Sequence, residues 1–367
     1  MLAAGAWALD PDKPFRDYVV ETWGVEKGLP QITVMAIAQD ADGYLWVGTQ
    51  AGLARFDGVQ FRRFEREDVL NMDSMIQALL ADPQGRLWIG THRGLLVLEH
   101  GRIRPLSAPD GIARFPVGAL ALSEGRLVVG GPDGLYVPDG QRLRRLRALP
   151  GPVTSLLAEG AALWAGGSGQ VLRIEGDHVQ SFPLPASLPG ASANHLVRFD
   201  GNLWAGTRSG LLRLRAGHWE LVPGRDGGEV RAIEALAADR DGNLWLATPQ
   251  YLERLRPGQA PERIENAPGS IAIRTLFEDQ DGNLWLGSQT EGLARAWSGR
   301  TRRLSRAEGL ATPLLWSLSA APDGGVVVGT GNGVEEWRQG RFQRLVAGSG
   351  LPHPEAYSVL AEAGRSE

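Results

Sequence analysis

Asp42-Gly43-Tyr44-Leu45-Trp46-Val47-Gly48-Thr49 decides the fold, because the chain repeats it. Close copies stand at Asp200 to Thr207, Asp241 to Thr248 and Asp281 to Ser288, and looser ones surround Trp88, Val128, Trp164 and Val327. A period of roughly forty residues means stacked supersecondary units, none of which can bury its apolar face alone.

Within the first copy, Thr33 to Ala38 is a short β-branched and apolar run that ends at Asp42-Gly43. An Asp-Gly pair between apolar runs marks a tight hairpin, since Gly accepts positive φ without a Cβ clash. Leu45 to Thr49 is then the return strand, Gly52 to Phe56 a third, and Gln60 to Phe64 a fourth that alternates polar and apolar. Short antiparallel strands in this succession make one propeller blade, with the alternating strand outermost. Each tryptophan (Trp46, Trp88, Trp164, Trp204, Trp245, Trp285) is wide enough to fill the wedge between twisted sheets, burying ~200 Å². Val128 and Val327 stand in its place in their copies, where looser packing is expected. The Gly-His and Trp-Asp marks of Trp-Asp repeat propellers are missing, and β-solenoid coils are shorter than this repeat.

Gly28-Leu29-Pro30, the Asp42 to Thr49 stretch and Gly52-Leu53-Ala54-Arg55-Phe56-Asp57-Gly58 together resemble the two-component regulator propeller repeat. The resemblance runs from about Tyr18 to Glu362. It implies the periplasmic sensor region of a bacterial membrane receptor whose output module is a histidine kinase or a diguanylate cyclase. The opening Trp23 to Pro30 is most similar to the diguanylate cyclase branch. Members of the family often carry two seven-bladed rings, a small β-sandwich and a membrane helix.

The expected architecture is all-β, a propeller of four-stranded blades over residues 18–349. Tyr18 to Trp23 lacks a blade of its own and is suited to complete the last one, because an open sheet edge invites aggregation. Seven blades with the start of a further ring is one expectation, and a single eight-bladed ring is the alternative. Residues 350–367 read as the first strand of an incomplete ninth repeat. Residues 1–17 read as the remnant of a signal segment and a linker, with Ala6-Trp7-Ala8 resembling a cleavage site. No stretch approaches the ~20 apolar residues of a membrane span.

A net charge of −4 offers no global attraction to nucleic acid. Cys is absent, which excludes disulfides and thiolate metal sites. The six histidines are scattered without ligand spacing, so no metal or cofactor is expected. Asp40 to Gly43, Asp239 to Gly242 and Asp279 to Gly282 approach a calcium-loop pattern but lack its later Glu, and a hairpin turn requires these residue types anyway. Gly166-Gly167-Ser168-Gly169 falls between two strands and is a turn, not a nucleophile elbow. The arginine runs at Arg142 to Arg147 and Arg300 to Arg306 lie on outer strands and read as solvated edges.

Function is expected on one rim. The links leading into each first strand and those joining second to third strands share a face of the disc. The first kind supplies Gln31, Asp73, Ser74, Asn194, His195, Arg231, Arg274 and Trp316, and the second supplies Gln50, His92, Arg93, Arg208, Gln250, Gln289 and Asn332. Such a mixture suits a small-molecule ligand, a sugar or an anionic metabolite, through bidentate hydrogen bonds and stacking. No catalytic cluster is legible, so this chain reads as a binding module and not an enzyme. A propeller lyase or hydrolase acting on a sugar or lactone is one alternative, and an interaction scaffold is another. Nucleic acid is not an expected partner, and membrane attachment would come only through segments outside this sequence. Pairing of two full-length receptors into a homodimer is left open.

Overall fold

The computed structural model describes residues 9–10, 13–64, 75–109, 114–188, 190–224, 232–265, 269–299, 304–306, 309–321, 324–338 and 341–361. It comprises two compact units, Met1–Gly299 and Arg300–Glu367. The fold is all-β, as expected, with eight four-stranded antiparallel sheets among the described residues.

The repeated Asp-x-Asp-Gly turn shows how local chemistry sets each hairpin. Asp40 Oδ1 accepts the Asp42 and Tyr44 backbone N–H groups at 3.1 and 3.0 Å, while Oδ2 accepts Trp46 Nε1 at 2.7 Å. Asp82, Asp239 and Asp279 hold Trp88, Trp245 and Trp285 in the same way, at 2.8, 2.6 and 2.7 Å. One carboxylate therefore satisfies the turn's donors and the buried indole together, which is turn chemistry and not calcium ligation. Burial pushes the Asp239 carboxyl upward against the hydrogen bonds from Asn243 and Trp245. At Asp82 burial acts in the same direction, but the Arg86 backbone, Trp88 and the Arg86 guanidinium together hold the carboxyl low.

A second repeated pairing joins middle strands. Arg55, Arg173, Arg213, Arg254 and Arg295 lie in register opposite Trp46, Trp164, Trp204, Trp245 and Trp285. Each guanidinium sits 5.4–5.9 Å from its indole centroid, within cation–π range.

The first unit holds seven of the sheets. The inner strands are Val34–Gln39, Ile76–Ala81, Ala119–Ser123, Val153–Glu159, His195–Phe199, Ala235–Ala238 and Ile273–Glu278, which define blades 1 to 7. Each tryptophan packs onto the next blade: Trp46 on Ile76, Leu87 and Ile89, Trp164 on Leu203 and Ala205, Trp204 on Leu244 and Leu246. Trp285 of blade 7 packs on Val34, Leu45 and Val47 of blade 1, which closes the ring. Val128 is 4% exposed, as buried as the tryptophans, in a cluster with Leu135, Val153, Leu163 and Ala165.

Glycine at the end of the Trp-bearing strand is a packing requirement. A Cβ on Gly90 would stand 2.5 Å from the Val117 carbonyl oxygen, where the chain enters the next blade. The same junction is tied by the Val117 N–H on the Thr91 carbonyl at 2.9 Å.

Val19–Trp23 settles the blade number. It pairs antiparallel with Leu293–Trp297 and supplies the fourth strand of blade 7. The ring therefore has seven blades and not eight, and its boundary falls between Gly299 and Arg300, ahead of residue 349. The chain before Tyr18 is also built in where it is described. Leu9 and Phe15 are buried in one cluster with Tyr18 and Trp245, so this stretch is part of the core and not merely a linker.

The second unit contains one four-stranded sheet, Leu315–Ala320, Val326–Thr330, Gly333–Arg338 and Arg341–Ala347. Residues 351–361 form no strand, having no sheet partner among the described residues. Their placement still follows the repeat, since the Ala356 N–H meets the Thr330 carbonyl at 2.9 Å, as Val117 meets Thr91 and Ile233 meets Thr207. No described helix is long and apolar enough to cross a membrane.

Candidate functional site at the centre of the ring

The inner strands begin irregularly, and the irregularity recurs. Register slips at Met35 in blade 1, Gln77 in blade 2, Thr154 in blade 4 and Arg274 in blade 7. Asn194 and Glu234 occupy the same place, one residue ahead of the pairings of His195 with Gly206 and Ala235 with Ala247. A bulge re-aims its side chain away from the ladder, and these devices concentrate at rims and binding sites. Met35, Gln77, Thr154, Asn194 and Arg274 line a central cavity of ≈ 300 Å³ to which all seven inner strands contribute.

Arg274 ties the cavity to a connected polar network across blades 6, 7 and 1. Arg274 NH1 lies 2.5 Å from Glu234 Oε2, and its Nε and NH2 donate to Gln289 Oε1 at 3.1 and 2.5 Å. The Gln289 carbonyl accepts the Thr33 hydroxyl at 2.9 Å, and Thr33 is held in turn by Gln31 Oε1 on its N–H at 2.8 Å. Three of the rim candidates, Gln31, Gln289 and Arg274, are thus brought together, and Asn194 lines the same cavity. Gln50 is half-buried beside them, its N–H on the Thr33 carbonyl at 3.3 Å.

The other candidates fall elsewhere. His92, Arg93, Arg208 and Gln250 are exposed on their links and do not line the cavity. Trp316 and Asn332 belong to the second unit, where Trp316 meets Tyr357 in a tilted contact at 5.3 Å between centroids. Arg231, Asp73 and Ser74 lie outside the described residues. Met35, Gln77 and Thr154, which line the cavity, and Glu234, which pairs with Arg274 at its edge, are residues that the order of links does not single out. A count would have found them, since each stands ten or eleven residues before the Trp of its repeat. No group of acidic or His side chains suited to a metal ion occurs among the described residues. The arginines at 144, 145 and 147 pair with Asp139, Asp133 and Asp177, so that run is a neutralised edge.

His195 is half-buried at the cavity, where desolvation drives its imidazole down to about 4 against the pull of the Glu234 backbone and carboxylate. Its unfolded counterpart takes a proton near pH 6.5. Between those values the unfolded chain binds more protons, so stability falls as pH falls through the window. We expect about 1–2 kcal/mol to be lost between pH 7 and pH 5, allowing for partial solvent screening. His195→Gln should flatten that slope, as read from urea midpoints at the two pH values. An equal slope in both proteins would remove His195 as the cause.

The comparisons with known proteins agree with this geometry. A profile of the family described as two component regulator propeller matches residues 28–51, 72–93 and 268–290, so the resemblance drawn from the repeats is borne out. The chain is a β-propeller, and three stretches of it match the two-component regulator propeller repeat. Among solved structures, it superposes on the extracellular domain of a hybrid two component system from B. thetaiotaomicron with TM-score 0.73 at 20% identity, covering 92% of this chain and 50% of that one. A second such domain from the same organism gives TM-score 0.62 at 20% identity, over 89% of this chain and 46% of that one. The chain therefore spans about half the length of these domains. Virginiamycin B lyase from Staphylococcus aureus shares the fold with TM-score 0.62 at 12% identity, over 76% of this chain and 99% of the lyase. No curated protein matches the chain.

Proposed function

We propose that this chain is the ligand-sensing propeller of a bacterial signalling receptor, working on the extracytoplasmic side of the membrane. A kinase or diguanylate cyclase output would lie in another part of the receptor. The observation that carries the reading is the convergence of bulged inner-strand residues on one cavity, in a chain of two-component regulator repeats. A binding site needs fixed donors and acceptors around a concave space, and Asn194, Thr154, Gln77 and the Arg274–Gln289 pair supply them. An enzyme of the lyase or hydrolase kind would need an acid–base group poised to transfer protons. Among the described residues, His195 is the one His lining the cavity, and it is held neutral and low.

Signalling would follow from a ligand that binds one state of the receptor better than another. Thermal-shift screening with sugars, amino acids and organic acids, followed by product analysis on each hit, tests the reading. A ligand that raises Tm and is recovered unchanged supports it, and Asn194→Ala should remove the shift. Turnover of the hit would overthrow it in favour of an enzyme.

A further inference from the structure

The charge arrangement of the cavity restricts the ligand, taking the sensor reading above for its location. Among the described residues that line the cavity, Arg274 alone is formally charged, and Glu234 at its edge cancels that charge. The two come from adjacent blades, and neither is sealed away: their side chains are 32% and 19% exposed. Gln289 grips the other side of the guanidinium through Nε and NH2, so Arg274 stays placed when its partner moves.

A lone anion reaching Arg274 meets the Glu234 carboxylate beside it, and a lone cation reaching Glu234 meets Arg274. Either leaves one charge of the pair uncompensated in a confined space, which is costly. A molecule carrying both charges a few atoms apart avoids this. Its carboxylate can replace Glu234 on Arg274 while its ammonium takes Glu234, which converts one ion pair into two without adding net charge. A cavity of ≈ 300 Å³ lies at the small end for ligand sites, and Met35 on the neighbouring blade 1 gives it an apolar lining residue.

We propose that the central cavity binds a compact zwitterion of the α-amino-acid class, its carboxylate on Arg274 and its ammonium on Glu234. Asn194 and Thr154 then face the remainder of the molecule.

The test uses the full chain and calorimetric titration with the protein amino acids. The tightest binder is compared with its decarboxylated amine, its deaminated acid and glucose. We expect both truncated analogues to bind roughly 10-fold more weakly or worse, and Glu234→Gln to cost a similar factor for the amino acid while sparing the deaminated acid. Because the analogue comparison uses the unaltered protein, it stands even where a variant folds poorly. Equal binding of the amino acid and its deaminated acid, or binding of glucose alone, overturns the zwitterion. Either result leaves the sensor reading in place provided Asn194→Ala abolishes it. Absence of binding by every probe to a cooperatively folded chain overturns both.

Discussion

Removal of residues 1–23 is expected to abolish the closed ring. That segment supplies the fourth strand of blade 7, and its loss exposes the ladder of Leu293–Trp297. Trp23 lies 5.1 Å from Phe56 and 5.4 Å from Trp285 between ring centroids, at the one junction where the last blade meets the first. Leu9, Phe15 and Tyr18 leave the Trp245 cluster at the same stroke. Truncating one buried aromatic costs about 3–5 kcal/mol, and this deletion removes several together with a strand. Against a typical total stability of about 5–15 kcal/mol, the remainder should not unfold cooperatively. Urea denaturation followed by tryptophan fluorescence checks this, with Trp23→Ala as the milder case at about 3–4 kcal/mol. A truncated chain with an unchanged midpoint would show that the ring closes without this strand.

Arg254→Ala should be the most damaging single charge substitution in the chain. Arg254 is fully buried, whereas its counterparts on the other blades keep contact with solvent. Its Nε and NH2 meet Glu262 Oε2 at 2.9 and 2.5 Å, NH1 donates to Tyr18 Oη at 2.8 Å, and NH2 donates to the Lys13 carbonyl at 2.6 Å. Tyr18 and Trp245 flank it at 5.5 and 5.4 Å. Glu262 also accepts the Phe15 N–H at 2.9 Å, so one guanidinium joins blade 6 to the incoming chain. Removing one partner of a buried ion pair costs about 3–5 kcal/mol, because the other charge is left uncompensated. Arg213→Ala, at an exposed pair with Glu220, should cost under about 1 kcal/mol by the same measurement. Equal losses at the two positions would refute the special role of Arg254.

Much of the fold was legible because its causes are local. The Asp40 carboxylate reaches the N–H groups of Asp42 and Tyr44 and the indole of Trp46, all within six residues. A motif of that length carries its own turn, its own strand pair and its own core residue. Half of the site was legible for the same reason: Asn194, Gln289 and Gln31 stand on links, and Arg274 at the start of an inner strand, that the hairpin order assigns to one face. Glu234 and Thr154 were not, because a bulge is a register event between two strands and leaves no residue-type signature. The arginine opposite five of the six repeat tryptophans was equally hidden, since it becomes a partner only once the middle strands pair.

The sequence alone therefore determined the repeat, the four-stranded blade, the buried tryptophans and the likeness to regulator propellers, since each rests on contacts a few residues long. Only the tertiary structure decided that the ring holds seven blades, that the chain before Tyr18 belongs to the core, and that Arg274 meets Glu234. Those outcomes depend on pairings between distant segments, Val19 with Trp297 and Arg274 with Glu234 among them. Similar repeats offer most blades the same kind of local bond, an indole donating to an acceptor five or six residues earlier. The open edge that Val19–Trp23 fills is set by how many twisted sheets fit around the axis.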